Sequence, residues 1–210
     1  MIHLRAHPVG VHAKGTTKTV PHLKFDLAKL EKLNDPRRFD DLIPDVMWGA
    51  LDVSAPRVVV EIGAGTGLFA ARFASMTPEA TFYAVDMEPA MIEWMRANRP
   101  EVAAGWMVPV LSEESSVPLD DGIADAVVMV NLHHELATPQ ATYAEAARLL
   151  HAGGRIMVAD WAPRETPKGP PLAVRATEQE IADVMAGAGF ADVASHEGLP
   201  HHSLLTGTKP

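Results

Sequence analysis

The chain has 210 residues, 47% of them hydrophobic and 21% charged, with a formal net charge of −9 at pH 7. That is enough apolar content for one sizeable core, and the wrong sign for a chain whose main partner is nucleic acid. There is no cysteine, which excludes disulfides, thiolate metal sites and cysteine nucleophiles.

The N-terminal stretch "MIHLRAHPVGVHAKG" lacks the apolar segment of a secretory signal, and no apolar run approaches the roughly 20 residues of a membrane span, so a cytoplasmic protein with no membrane partner is expected. Arg5, Lys14, Lys18 and Lys24 precede the first acid, as in an organellar transit peptide, but Pro8, Gly10 and Gly15 break an amphipathic helix there. Residues 1–24 read as an extended arm. Phe25, Leu27, Leu30 and Leu33 then fall near helical spacing. "DPRRFDDLIPDVMWGAL" follows as an apolar helical stripe with Pro36 at its start and a kink at Pro44.

From Arg57 strands and helices alternate. "RVVVEIG", "ATFYAVD", "GWMVPVL", "IADAVVMVN" and "GGRIMVADW" read as strands, and "TGLFAARFASM", "EPAMIEWMRANRP", "TPQATYAEAARLL" and "TEQEIADVMAGAGF" as helices. Thr177 and Glu180 form the capping-box pattern of the last helix. Two final strands, "ADVASHEG" and "HHSLLTGTKP", have no helix between them, so the last one is expected to run antiparallel. Nearly uniform apolar strands separated by helices predict a parallel sheet covered on both faces. "PRETPKGPP" is the marked loop within this unit.

In such a sheet, ligands sit beyond the carboxyl ends of the strands. "EIGAGTG" occupies that place after the first strand, and its glycines permit positive φ and close backbone approach. The dinucleotide pattern G-x-G-x-x-G is not met, because Leu68 stands where its third glycine belongs, and no Gly-Lys-Ser/Thr of a phosphate loop follows. Glu61, Asp86, Glu113 and Glu114 put acid at three strand ends. That suits a ligand with hydroxyls, an amino group and positive charge, and suits a pyrophosphate poorly. A tight strand–helix connection is the competing reading of the glycine turn. Asp120 and Asp121 read as turn residues, and Asp125 as a cap on a strand entry.

Four stretches carry a resemblance: "VVVEIGAGTG", "YAVDMEPAMIEWM", "SEESSVPLDDGIADAVVMVNLHHEL" and "LLHAGGRIMVADW". In this order they resemble the class I S-adenosylmethionine-dependent methyltransferases, in the branch of small methyltransferase-domain proteins. The resemblance implies a Rossmann-like, doubly wound, mostly parallel α/β sheet of seven strands with an antiparallel last strand. Residues 1–51 would be an arm and short helical cap, and 52–210 the catalytic unit. It implies S-adenosylmethionine as cofactor and a small-molecule methyl acceptor. Glu61 would orient the turn and the methionine amino group. Gly63, Ala64, Gly65 and Gly67 would pack on the methionine part. Asp86 would accept the ribose hydroxyls, and Met87 would lie against adenine. Glu113, where relatives carry aspartate, would receive the adenine amino group, with the backbone of Glu114 beside it. Asn131 would stand near the methyl-bearing sulfur. The sequence departs from the usual "D-A" by having "E-E" at 113–114. A nicotinamide-dependent oxidoreductase and a cofactor-binding regulator without chemistry are the alternatives.

The chain has ten histidines. Neither adjacent pair, His133–His134 or His201–His202, has the spacing of a helical zinc motif, so no metal is expected. His3, His7, His12 and His22 read as solvated or packing residues of the arm. His201 and His202 should open the last strand, one in and one out. His133 and His134 follow the fourth strand at the expected transfer site. They are candidates for a general base, and equally for packing against the helix that follows. Lys168 and Arg175, in the loop after the fifth strand, could meet an anionic substrate or be solvated, and that loop with the N-terminal segment should cap the acceptor.

Overall fold

A computed structural model describes residues 27–210. The readings for the extended arm, its four histidines and its lysines lie outside the described residues. Helix α1 (Leu27–Leu33) leads into a 3-10 turn, Pro36–Asp40, which Asp35 caps by accepting from the Arg37 amide. Helix α2 (Pro44–Leu51) then packs Met47 and Leu51 into the core. The expected single kinked helix is thus two elements. Pro44 begins a helix at its first turn, where its missing N–H costs nothing, and Ile43 before it is extended.

The sheet comprises β1 (Val58–Ile62), β2 (Thr81–Asp86), β3 (Met107–Leu111), β4 (Ala124–Val130), β5 (Leu150–Trp161), β6 (Ala191–His196) and β7 (His202–Thr208). Its order is β3-β2-β1-β4-β5-β7-β6, and β7 alone runs antiparallel to its neighbours. Helices α3 (Leu68–Met76), α4 (Pro89–Asn98), the short α5 (Pro100–Ala103), α6 (Pro139–Leu149) and α7 (Glu178–Gly187) join the strands. The α7 capping box between Thr177 and Glu180 is present. Strand β5 begins earlier than "GGRIMVADW" suggests, and α5 was not foreseen.

Each sheet face carries its own apolar cluster. One gathers Phe73, Phe82, Met95 and Met107 with Met47 and Leu51, and the other gathers Tyr143, Leu149, Ile156, Ile181 and Met185. Asp125 pins the entry of β1, its carboxylate accepting from the amides of Arg57 and Val58, both at 2.8 Å. Because β1 lies between β2 and β4, the chain direction across the sheet reverses there, and the crevice opens at the carboxyl edge.

The antiparallel sense of β7 has a consequence at that edge. Its first residue, His202, pairs in register with Trp161, the last residue of β5. A strand beginning therefore joins the strand endings around one mouth.

Candidate active site

A cavity of about 930 Å³ occupies the carboxyl edge, lined among others by Glu61, Gly65, Asp86, Asn131, His134 and His202. Gly63, Ala64, Met87, Glu113 and Glu114 also line it.

The glycine turn divides its labour. Gly63 and Gly67 hold positive φ, and a Cβ on either would press into Leu132 or Met95 at under 3 Å. Gly67 packs against Met95 and Met107 at the head of α3 and is not among the residues that line the cavity. Gly65 is the exposed bend. Its φ is +55°, and a Cβ there would find nothing nearer than Leu33 at 3.7 Å. The bare backbone faces open space.

Asp86 holds this bend. One carboxylate oxygen accepts from the Gly65 amide at 2.7 Å and the other from the Glu88 amide at 2.9 Å. Glu61, 1% exposed, accepts from the Ala70 amide, while its Oε2 has no partner. Burial pushes its pKa up to about 8, against the pull of the Ala70 amide and the Arg38 charge. Asn131 follows β4 with φ of +55°, a left-handed state that asparagine tolerates better than most residues, and its buried Oδ1 also has no partner. Met87 is 60% exposed at the rim. Glu113 pairs its backbone with Ser116. The Glu114 side chain turns away to cap α6, accepting from the amide and hydroxyl of Thr138 at 3.0 Å each, so only its backbone is placed for the expected part.

The adjacent histidines separate. His133 is buried, its Nδ1 lying 2.9 Å from the Tyr143 hydroxyl, and it does not line the cavity. Its ring is engaged with Tyr143, edge to face at a centroid distance of 5.7 Å. Desolvation lowers its pKa. His134 does line the cavity. Its Nδ1 is 2.7 Å from Asp160 Oδ1, and its amide donates to Oδ2 at 3.3 Å. Asp160, 2% exposed, also accepts from the Trp161 amide at 2.7 Å. Burial works against the His134 cation, but the hydrogen bond and charge of Asp160 outweigh it, and the pKa is raised. A carboxylate can only accept, so Nδ1 carries the proton and Nε2 is left as the basic nitrogen when the ring is neutral.

Lys168 pairs with Asp41, and His201 stands 3.7 Å from the same carboxylate. Arg175 is neither a substrate cation nor simply solvated. It donates to the carbonyls of Pro170, Ala162 and Arg164 and lies over the Trp161 ring, fastening the loop. Trp161, His202, Asp41 and Arg38 were not foreseen as cavity residues, nor Asp160 as the partner of His134. A carboxylate near the end of apolar β5 was the available signal for Asp160. For His202 the signal lay in the antiparallel turn-back of the last strand.

The cavity fits S-adenosylmethionine by its own chemistry. An unpartnered buried carboxylate oxygen at Glu61 suits an ammonium, the open bend at Gly65 admits a ligand against backbone, and the Asp86 carboxylate lining the cavity is the kind of acceptor a ribose hydroxyl needs. The surplus of acid suits a cation, while a pyrophosphate would meet Glu61 and Asp86 unfavourably.

These features define a doubly wound fold with an acid-lined site for a cationic, hydroxylated ligand. Residues 60–158 match the family model described as a methyltransferase domain. A malonyl-[acyl-carrier protein] O-methyltransferase of Hahella chejuensis is 34% identical over 49% of this chain and 36% of its own length. The chain thus spans about a third of that curated relative. A demethylmenaquinone methyltransferase of Thermus thermophilus is 28% identical over 74% of this chain and 72% of its own. Among solved structures, a SAM-dependent methyltransferase from Aquifex aeolicus superposes with a TM-score of 0.81 at 24% identity, covering 89% of this chain and 100% of that one. The chain thus matches a methyltransferase domain over residues 60–158 and shares its fold with a solved S-adenosylmethionine-dependent methyltransferase. No helix among the described residues is long and apolar enough to cross a membrane.

Proposed function

We propose that the protein transfers a methyl group from S-adenosylmethionine to an oxygen of a small-molecule acceptor, in the cytoplasm. The observation that carries this reading is the Glu61 carboxylate, buried with one oxygen unpartnered, beside the open Gly65 bend that Asp86 holds. In this reading Glu61 takes the amino group, Gly63, Ala64 and Gly65 take the methionine part, and Asp86 takes the ribose. Met87, Glu113 and the Glu114 backbone surround adenine, and Asn131 faces the reacting end. The cofactor supplies an already activated methyl group. The protein therefore has to align the acceptor and remove its proton.

His134 is suited to the second task. Its neutral Nε2 takes the acceptor proton, while Asp160 holds Nδ1–H and stabilises the imidazolium that forms. Residues 1–51 serve as cap and 52–210 as the catalytic unit. Two relatives are named for malonyl-[acyl-carrier protein] and demethylmenaquinone, neither of them nucleic acid, and the net charge of −9 supports the same exclusion. A regulator without chemistry has less behind it, because it leaves the His134–Asp160 pair without a purpose.

Calorimetry with S-adenosylhomocysteine and with NAD tests the reading. Binding of the first near one molecule per chain is expected. Heat from NAD alone would sink it.

A further inference from the structure

Among the described residues, buried side-chain atoms without a hydrogen-bond partner occur on Glu61, Thr66, Glu101, Asn131 and His202. Glu61, Asn131 and His202 line the cavity. The first two belong to the cofactor end. His202 does not. It opens β7, is 5% exposed, and leaves both ring nitrogens unpartnered. A buried polar group without partners is rare in folded proteins and calls for an explanation such as a ligand. An apolar ring at this position would fill the same space without that cost.

We propose that His202 is an acceptor-binding residue, and that with His134 it makes the acceptor end of the cavity a subsite for an uncharged hydroxylated molecule. This rests on the methyltransferase reading and names the acceptor class. His134 and His202 both line the one cavity, and both border Asp160: the first by its hydrogen bond, the second through the pairing of Trp161 with His202 and of Asp160 with Ser203. The His202 ring packs on Trp161 with centroids 4.2 Å apart, which fixes its place but takes up neither nitrogen. The last torsion of histidine is soft, so its edge turns toward the chamber at little cost.

The surroundings select against charge. Burial lowers the His202 pKa to about 4, although Asp160 and Asp41 draw it upward, so the ring is neutral, with one donor and one acceptor nitrogen. Asp41 and Glu135 line the chamber and would repel an anion, while Arg38, which also lines it, is held to the Leu33 carbonyl and over the Phe69 ring. Lys168 is already paired with Asp41, and Arg175 is committed to loop carbonyls. Leu42, Phe69 and Leu136 supply apolar wall. A neutral imidazole that can give and take a proton in a hydrogen bond suits a hydroxyl, and the walls suit a ring or chain that carries it.

Phenol, catechol and benzoate are titrated against the full chain by ligand-observed NMR, with and without saturating S-adenosylhomocysteine, for the parent, His202→Phe and His202→Gln. The two phenols should bind, benzoate about tenfold or more weaker. His202→Phe should keep its melting temperature and its S-adenosylhomocysteine affinity while losing phenol binding by about tenfold or more. His202→Gln, which can still donate and accept, should recover most of it. Benzoate binding as tightly as phenol, no binding of either phenol to the parent, or unchanged phenol binding in His202→Phe overturns the proposal. Unfolding of both variants also overturns it, because His202 is then a packing residue. Failure of S-adenosylhomocysteine to bind the parent would strike the methyltransferase reading instead, and the titrations without it would still read His202.

Discussion

The His134 imidazole stands 2.7 Å from the Asp160 carboxylate, while its sequence neighbour His133 stands 2.9 Å from the Tyr143 hydroxyl. Two adjacent histidines thus sit in different surroundings: burial lowers the pKa of His133, while at His134 burial is outweighed by Asp160, which raises the pKa. Their pKa values should diverge when ring signals are followed by NMR. His134 should titrate above the ordinary value of about 6.5 and His133 below it. Asp160→Asn should bring His134 down. If the two rings titrate together in the parent, the pairing is wrong.

The same pair sets a pH profile. A general base works in its neutral form, so turnover should rise with pH through the raised His134 pKa, above about 6.5. For stability the sign is reversed. A raised folded pKa contributes stability below the unfolded value, and that contribution is lost as pH rises through the folded one. His134→Ala should lower kcat by about 10²- to 10⁴-fold and remove the rising limb, with S-adenosylhomocysteine affinity retained. Parental turnover in that variant would end the base assignment.

Glu61 makes a second pH prediction. Its pKa of about 8 leaves the buried carboxyl protonated at neutral pH. A ligand ammonium favours the ionised form, so binding should release a proton, and affinity should rise with pH toward about 8. The release is read by calorimetry in two buffers of different ionisation heat. Glu61→Gln should abolish it and weaken binding. For the ligand-free protein the raised carboxyl pKa means that this group's stabilisation fades between the unfolded value and about pH 8. Equal apparent heats in both buffers would refute proton release.

Much of this was legible from residue pattern, and the exceptions have causes. "VVVEIGAGTG" fixes a strand, a bend and a helix head within a few residues, because a buried β-branched run and glycines at positive φ leave few alternatives. Asp86 was readable as a strand end for the same reason. What Gly67 touches was not readable, since Met95 and Met107 reach it from α4 and β3. The partner of the Glu114 side chain was not readable, because it caps a helix that begins at Pro139, a pairing distant in sequence. His133 and His134 could not be told apart, because Tyr143 and Asp160 that distinguish them come from α6 and β5.

Asp86 does two jobs, and its substitution should show both. Asp86→Ala removes acceptors from the Gly65 and Glu88 amides as well as from a ribose. At roughly 1.5–3 kcal/mol for a hydrogen bond to a charged group, S-adenosylhomocysteine affinity should fall more than about tenfold. The melting temperature should also fall, since the bend loses its anchor, while the circular dichroism of the fold persists. An unchanged dissociation constant would remove Asp86 from the site.

The loop after β5 should move as a fastened strap, with Arg175 as the fastening. The guanidinium donates to Pro170 at 2.9 Å, Arg164 at 2.8 Å and Ala162 at 3.2 Å, and lies 5.2 Å from the Trp161 ring centroid. One side chain thus gathers three carbonyls, of which that of Ala162 also accepts from the Arg164 amide. Lys168, Gly169 and Pro170 of that loop line the cavity, so its position bears on acceptor entry. Arg175→Ala should speed amide exchange across residues 163–174 by roughly tenfold or more, as a local opening rather than a global one. Arg175→Lys should recover little, because an ammonium cannot reproduce the planar fork. S-adenosylhomocysteine affinity should change little, since Glu61, Gly65 and Asp86 stand on other strand ends. Phenol binding should weaken together with the loop, because Trp161, which Arg175 covers, is the ring that seats His202. Parental exchange rates in Arg175→Ala would show that the loop is held by something other than this arginine.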